Sequence, residues 1–297
     1  MNFGLRYPLI VMTMSISLSL TGCAARAPVA NQPEPIKISK SATAIEAAQL
    51  AEPARFAEEP TRSAIKHMVL AGKPITVVNE FGEVRIRFGG FANELEATAV
   101  AQSPIGSAMP VMQFDEQTAT LITQLPPIAP GNGVASQLAE GQRIDITLFV
   151  PEKHDLSIRT LRGLIEVRGL RGNLQARSVS GDLLLRGITG ALDVETGSGL
   201  VEAAFADQAT AAAQRVVTST GAISVSFGPN YDAALSLATS GLFATEYSLS
   251  VVTQPGAEPN KAASVTLGRG VNPIEIRSKR GDVRLFRRSV FLDADSQ

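Results

Sequence analysis

One short pattern is written three times in succession in this chain: TLRGLIEV at 160–167, SVSGDLLL at 178–185 and TGSGLVEA at 196–203. Each copy sets Thr or Ser three residues ahead of a glycine and apolar residues two and usually four behind it. The glycines are Gly163, Gly181 and Gly199, and the same register returns at Gly82, Gly221, Gly241 and Gly281. A repeat of about 20 residues built from short alternating strands cannot bury its apolar face alone. Stacked on its neighbours it closes a continuous core. The pattern therefore predicts an all-β fold: a right-handed parallel β-solenoid of roughly nine or ten coils.

Aligning the copies on the glycine shows which positions face inward. Two residues after it stand Val84, Ile165, Leu183, Val201, Ile223, Phe243 and Val283. Four after it stand Ile86, Val167, Leu185, Ala203, Val225, Thr245 and Leu285, and five before it Val77, Ile158, Ala176, Val194, Val216, Ser236 and Ile276. Residues two apart share one face of a strand, so these columns should form internal ladders. The glycine suits a corner that needs a positive φ. The Thr/Ser column ahead of it, Asn79 in the first copy and Ala238 in another, can satisfy backbone groups there. On the outward face, Arg177 should lie beside Glu195 and Asp193 beside Arg215.

Before the solenoid the chain reads differently. Leu9 to Leu20 is an apolar run broken only by Thr and Ser after a lightly basic start at Arg6. Its length is that of a secretory signal rather than a membrane span. It ends in Leu20, Thr21, Gly22 and Cys23, which resembles the bacterial lipobox. That resemblance implies cleavage before Cys23, the only cysteine, and acylation of it, so the partner there is a membrane. A cleaved soluble signal with a chance cysteine is the alternative. Ala24, rather than Asp, after the cysteine points by analogy to the outer membrane in a host with two.

From Ala24 to about Lys73 the chain is rich in Ala, Pro, Glu and Ser, which suits a flexible tether; a short partner-binding helix at Ala44 to Ala51 is the alternative. The expected organisation is a signal at 1–22, an acylated tether at 23–74, the solenoid at 75–288 and a tail at 289–297. Within the solenoid, Gln102 to Gln142 is Pro/Gly-interrupted and reads as irregular coils with one or two strands and a long loop. The step from Gly241 to Gly281 is two coils long and contains an excursion from Gln254 to Ala263.

The run from Ile144 to Phe286, with Val150–Pro151 ending a strand and the SVSGD coil at 178–182, resembles the "putative adhesin" β-solenoid family of bacterial envelope proteins. The resemblance implies a stacked-coil fold and a cell-envelope setting. It brings no catalytic residues with it.

Several functions lose support. A net charge of −1 gives a nucleic-acid backbone nothing to be drawn to. Aromatic residues make up 5% of the chain and Trp is absent, so stacking platforms should be few. His67 and His154 stand far apart, so neither a metal nor another cofactor is expected. Glu166 and Glu202 share an outward column about 9.6 Å apart by strand spacing. That is near the separation of an inverting glycosidase pair, but Leu184 lies between them. Arg280, Gly281 and Asp282 spell an integrin-type tripeptide whose glycine is a repeat corner. Arg284, Arg287 and Arg288 form a small basic cluster. The reading that results is a non-catalytic envelope lipoprotein presenting a rigid surface to a protein or glycan, with the loop at 102–142 the first place for a ligand. A periplasmic scaffold or stress-related regulator and a glycan-active enzyme are the alternatives, and an exposed end of the stack could pair with a second copy.

Overall fold

The computed structural model describes residues 60–68, 73–88, 93–103, 108–125, 142–151, 153–205 and 212–288. The early strands are β1 Thr61–Met68, β2 Ile75–Phe81, β3 Val84–Phe88, β4 Glu94–Gln102, β5 Val111–Asp115, β6 Thr120–Gln124 and β7 Arg143–Val150. Next come β8 Leu156–Arg162, β9 Ile165–Arg168, β10 Leu174–Ser178, β11 Leu183–Ile188, β12 Leu192–Thr196, β13 Val201–Phe205, β14 Gln214–Thr218 and β15 Ile223–Phe227. The last are β16 Ala233–Thr239, β17 Phe243–Thr245, β18 Ser250–Thr253, β19 Lys261–Leu267, β20 Asn272–Ser278 and β21 Val283–Arg287.

These strands form two sheets. One runs β1-β4-β7-β3-β9-β11-β13-β15-β21-β17, the other β18-β19-β16-β20-β14-β12-β10-β8-β2-β6-β5. Each repeat gives one strand to each sheet, and neighbouring repeats pair in parallel, as in Ala176 beside Ile158 and Val194, or Leu185 beside Val167 and Ala203. The fold is therefore all-β, largely parallel and built from stacked repeats. In space the rows run β6/β7, β2/β3, β8/β9, β10/β11, β12/β13, β14/β15, β20/β21, β16/β17, which is eight rows among the described residues where nine or ten coils were expected.

The rows do not stack in chain order. At one end β6/β7 lies outside β2/β3, with Leu121 beside Val77 and Leu148 beside Ile86. At the other end the last row, β20/β21, is inserted between β14/β15 and β16/β17. The excursion between Gly241 and Gly281 does not form a further coil: β19 runs antiparallel to β16, and β18 antiparallel to β19. At the other end, antiparallel β1 and β4 extend one sheet and β5 the other. Strands of reversed direction at both ends cover core that a repeat, by its nature, leaves open. β1 lies within 23–74, the stretch expected to be a tether, so folded structure starts before Ile75. Its inward residue His67 stacks on Phe114 of β5, with ring centroids 4.6 Å apart.

The two sheets enclose a single apolar core, and the expected columns fill it. Val84, Ile165, Leu183, Val201, Ile223 and Val283 are buried, as are Val77, Ile158, Ala176, Val194, Val216 and Ile276. Each large side chain so buried contributes about 1.5–3 kcal/mol. The row β16/β17 departs from the alignment. There Leu237, not Ser236, stands beside Ile276, and Thr239, not Ala238, is buried at the corner. Only Ser240 separates Thr239 from Gly241, so the corner is one residue shorter and the preceding strand shifts by one.

Candidate functional site

The corner glycines stack directly on one another. A Cβ on Gly163 would lie 1.9 Å from the Gly82 carbonyl oxygen, and one on Gly181 1.9 Å from that of Gly163. The chain of contacts continues through Gly199, Gly221, Gly281 and Gly241, in the spatial order of the rows. A positive φ is needed only at Gly82 (121°) and Gly163 (136°). At Gly181, Gly199, Gly221, Gly241 and Gly281 the requirement is close backbone approach, not the left-handed conformation that the sequence suggests.

At three corners a hydroxyl, that of Thr196, Thr239 or Ser278, ties one corner to the next. Ser278 Oγ accepts the Gly281 N–H at 2.8 Å and donates to the Gly221 carbonyl at 2.9 Å. Thr196 Oγ1 makes the same two bonds, to the Gly199 N–H and the Gly181 carbonyl. Asp182 and Asp282 follow corner glycines, and their carboxylates accept the backbone N–H of Leu200 and Leu242 in the adjoining row. The tripeptide 280–282 is thus engaged throughout: Arg280 binds Glu258, Gly281 packs against Gly221, and Asp282 holds Leu242.

The outward acids Glu166, Glu202, Asp193 and Glu195 are held in ion pairs. Glu166 is buried, with Arg87 Nη2 at 2.7 Å, Arg168 Nη2 at 2.5 Å and Arg85 Nε at 3.7 Å. Burial pushes its carboxyl up, but the hydrogen bonds and charges of Arg87 and Arg168 outweigh that and hold it below the ordinary glutamate value. Glu202 meets Arg186 at 3.3 Å. An inverting glycosidase needs one carboxyl held protonated as a general acid. Glu166 is arranged in the opposite sense. On the other sheet Arg177 stands beside Glu195 and Asp193 beside Arg215, in the expected register. Arg177 binds Asp193, and Arg215 lies 3.0 Å from Asp193 and 3.7 Å from Glu275. Among the described residues no cluster of His, Cys, Asp and Glu could hold a metal ion.

A concave site appears where the chain leaves sequence order. Inserting β20/β21 between its neighbours brings the end of β21 beside the loop after β15 and the residues after β17. Gly228, Pro229, Tyr231, Tyr247, Thr266, Leu267, Gly268, Arg287 and Arg288 line a cavity of about 300 Å³ there. Tyr231 of the lining belongs to an aromatic stack: the Phe205 and Phe227 rings are nearly parallel with centroids 5.2 Å apart, and Tyr231 sits 5.2 Å from Phe227. The Arg287 guanidinium lies 4.7 Å over the Tyr247 ring. Arg288 is anchored by its N–H to the Phe227 carbonyl and by Nη1 to the Phe205 carbonyl at 3.0 Å. Tyr231 is 5% exposed, and burial pushes its phenol up to about 12.

Of the expected basic cluster, Arg287 and Arg288 line this cavity, whereas Arg284 faces outward and pairs with Asp282. The site was not legible: Phe205, Phe227 and Tyr231 meet across the consecutive rows of β13 and β15, but Tyr247 and Arg287 join Tyr231 only through the inserted row. Two of the chain's three tyrosines collected in one place are the trace they leave in the composition. The lipobox, Leu20, Thr21, Gly22 and Cys23, lies outside the described residues, as do 126–141 of the expected ligand loop and the tail.

No protein-family model matches the chain, and no curated protein matches it. Among solved structures it is similar to a "putative cell adhesion protein" from Clostridium sporogenes ATCC 15579, at 12% identity and a TM-score of 0.41, over 77% of this chain and 100% of that one. It is also similar to a "putative adhesin" from Bacteroides fragilis NCTC 9343, at 9% identity and a TM-score of 0.26, over 76% and 97% of the two chains. At such scores neither likeness carries an argument about what this chain does. The chain's own geometry describes it best: an all-β stack of largely parallel rows, with Glu166 and Glu202 ion-paired on its outer face, whose last row, inserted out of order, builds a tyrosine- and arginine-lined cavity.

Proposed function

We propose that this protein is a lipid-anchored cell-envelope protein whose right-handed solenoid binds a ligand without transforming it. The observation that carries the reading is the state of the acids. Glu166 and Glu202, the carboxylates best spaced for glycan cleavage, are bound to arginines, while the cavity at Tyr231 offers recognition chemistry without an acid–base pair. Acylation of Cys23 supplies the anchor, since each buried CH₂ of an acyl chain adds about 0.8 kcal/mol of membrane affinity. The Pro/Ala-rich stretch after it lets the stack stand off the membrane.

The test is sedimentation of the purified protein with insoluble envelope polysaccharide from its host, followed by sizing of the polymer. Co-sedimentation with unchanged polymer length supports the reading; shortened polymer, or protein left in the supernatant, contradicts it. The anchor is tested separately by Cys23→Ser, which should move the protein from the membrane to the soluble fraction. Protease treatment of intact cells then tells an outward-facing binder from a periplasmic one.

A further inference from the structure

We infer that the cavity between Tyr231 and Tyr247 takes one acidic sugar unit, a pyranose ring bearing a carboxylate, with Arg287 on its anion-binding side. The inference rests on the binding reading above and names its ligand class. At about 300 Å³ the cavity is at the small end of small-molecule sites, which suits a single ring.

Three features select the ligand. Among the described residues the Tyr231 hydroxyl has no hydrogen-bond partner, although the residue is 5% exposed and lines the cavity. The hydroxyl is open to solvent through the cavity, so a ligand hydroxyl can take the place of water there. The lining contains no acid, and of its arginines Arg288 is already held at Nη1 by the Phe205 carbonyl, so Arg287 is the anion-binding group. Glu246, the nearby carboxylate, accepts the Arg287 backbone N–H at 2.7 Å and lies outside the lining. A planar guanidinium matches a carboxylate through paired hydrogen bonds. Tyr247, Pro229 and Leu267 supply flat apolar surface for the C–H face of a sugar ring. The guanidinium of Arg287, lying over Tyr247, is positioned in advance, which lowers the ordering cost of binding.

The test is calorimetric titration of the full chain with digalacturonate and, as the neutral counterpart, a galactose disaccharide. Digalacturonate should bind, with the neutral sugar at least about tenfold weaker and the difference shrinking in high salt. Tyr231→Phe keeps the ring in its stack and should weaken binding about tenfold. Arg287→Gln should erase the preference for the acid. Melting curves of both variants confirm that they are folded. Equal binding of acidic and neutral sugars, no binding of either, or a folded Tyr231→Phe chain that binds like the parent overturns the inference. If the protein still sediments with envelope polysaccharide but ignores digalacturonate, this inference falls alone. If it does neither, the binding reading falls with it.

Discussion

Replacing Gly199 by alanine should break the stack at its middle. The added Cβ would sit 1.8 Å from the Gly181 carbonyl oxygen and 2.4 Å from its carbon, whereas ordinary contact begins at 3.4 Å. Relief requires the two rows to part locally by about 1.6 Å, a third of the ~4.8 Å strand spacing. Both atoms belong to backbone, so no rotamer change can absorb the clash. Overpacking of this kind costs about 1–3 kcal/mol or more. Parting the rows also weakens the bonds from Thr196 to Gly181 and Leu200 to Asp182, at about 0.5–1.5 kcal/mol each. Alanine recovers only about 0.4–1 kcal/mol through the unfolded chain. The net expectation is a loss of about 4 kcal/mol, read in urea unfolding as a midpoint lowered by about 1–2 M at unchanged slope. Gly256→Ala is the control. Gly256 has a φ of 82° with nothing within 4 Å of the added carbon, so only the conformational cost of about 1–2 kcal/mol applies. A Gly199→Ala chain no less stable than Gly256→Ala would refute close approach as the reason for the glycine column.

Other substitutions test the register and the acids. Leu237→Ala should cost about 2–5 kcal/mol and Ser236→Ala within about 0.5, by thermal or urea melts; the reverse ranking would restore the unshifted alignment. Glu166→Gln should cost about 1–2 kcal/mol at neutral pH. Because the folded Glu166 carboxyl is lowered, its contribution is full above the ordinary glutamate value of 4.5 and disappears as pH falls through the lowered one. The gap between parent and variant melting temperatures should therefore close in acid, and a gap that persists there would sink the ion-pair account. Asp282→Ala should cost about 1 kcal/mol by removing the acceptor for Leu242 while leaving cell attachment unchanged; loss of attachment at full stability would restore a recognition role to 280–282.

The periodic parts of this fold were legible because they are local. A glycine followed by alternating apolar residues reports a strand, a corner and the next strand within ten residues, and the columns through Ile165, Leu183 and Val201 follow from that alone. Row order was not legible. The last copy, around Gly281, carries the same corner signature as any other, so nothing in it says that it belongs between Gly221 and Gly241. Nor does the sequence tell a glycine needed for φ from one needed for space: Gly163 and Gly181 look alike in it, and only the first has a positive φ. The cavity was out of reach for the same reason as the row order. Tyr231, Tyr247 and Arg287 become neighbours through that insertion.

Cross-linking tests the insertion most directly. Glu275 lies between Arg215 and Ser236 in the register of β14, β20 and β16. In a Cys23→Ser background, cysteines at Arg215 and Glu275 should be joined within one chain by a short thiol-reactive linker, and cysteines at Arg215 and Ser236, two rows apart, should not. Efficient linkage of Arg215 to Ser236 with none to Glu275 would mean that the rows stack in chain order, and the cavity built by the insertion would not exist.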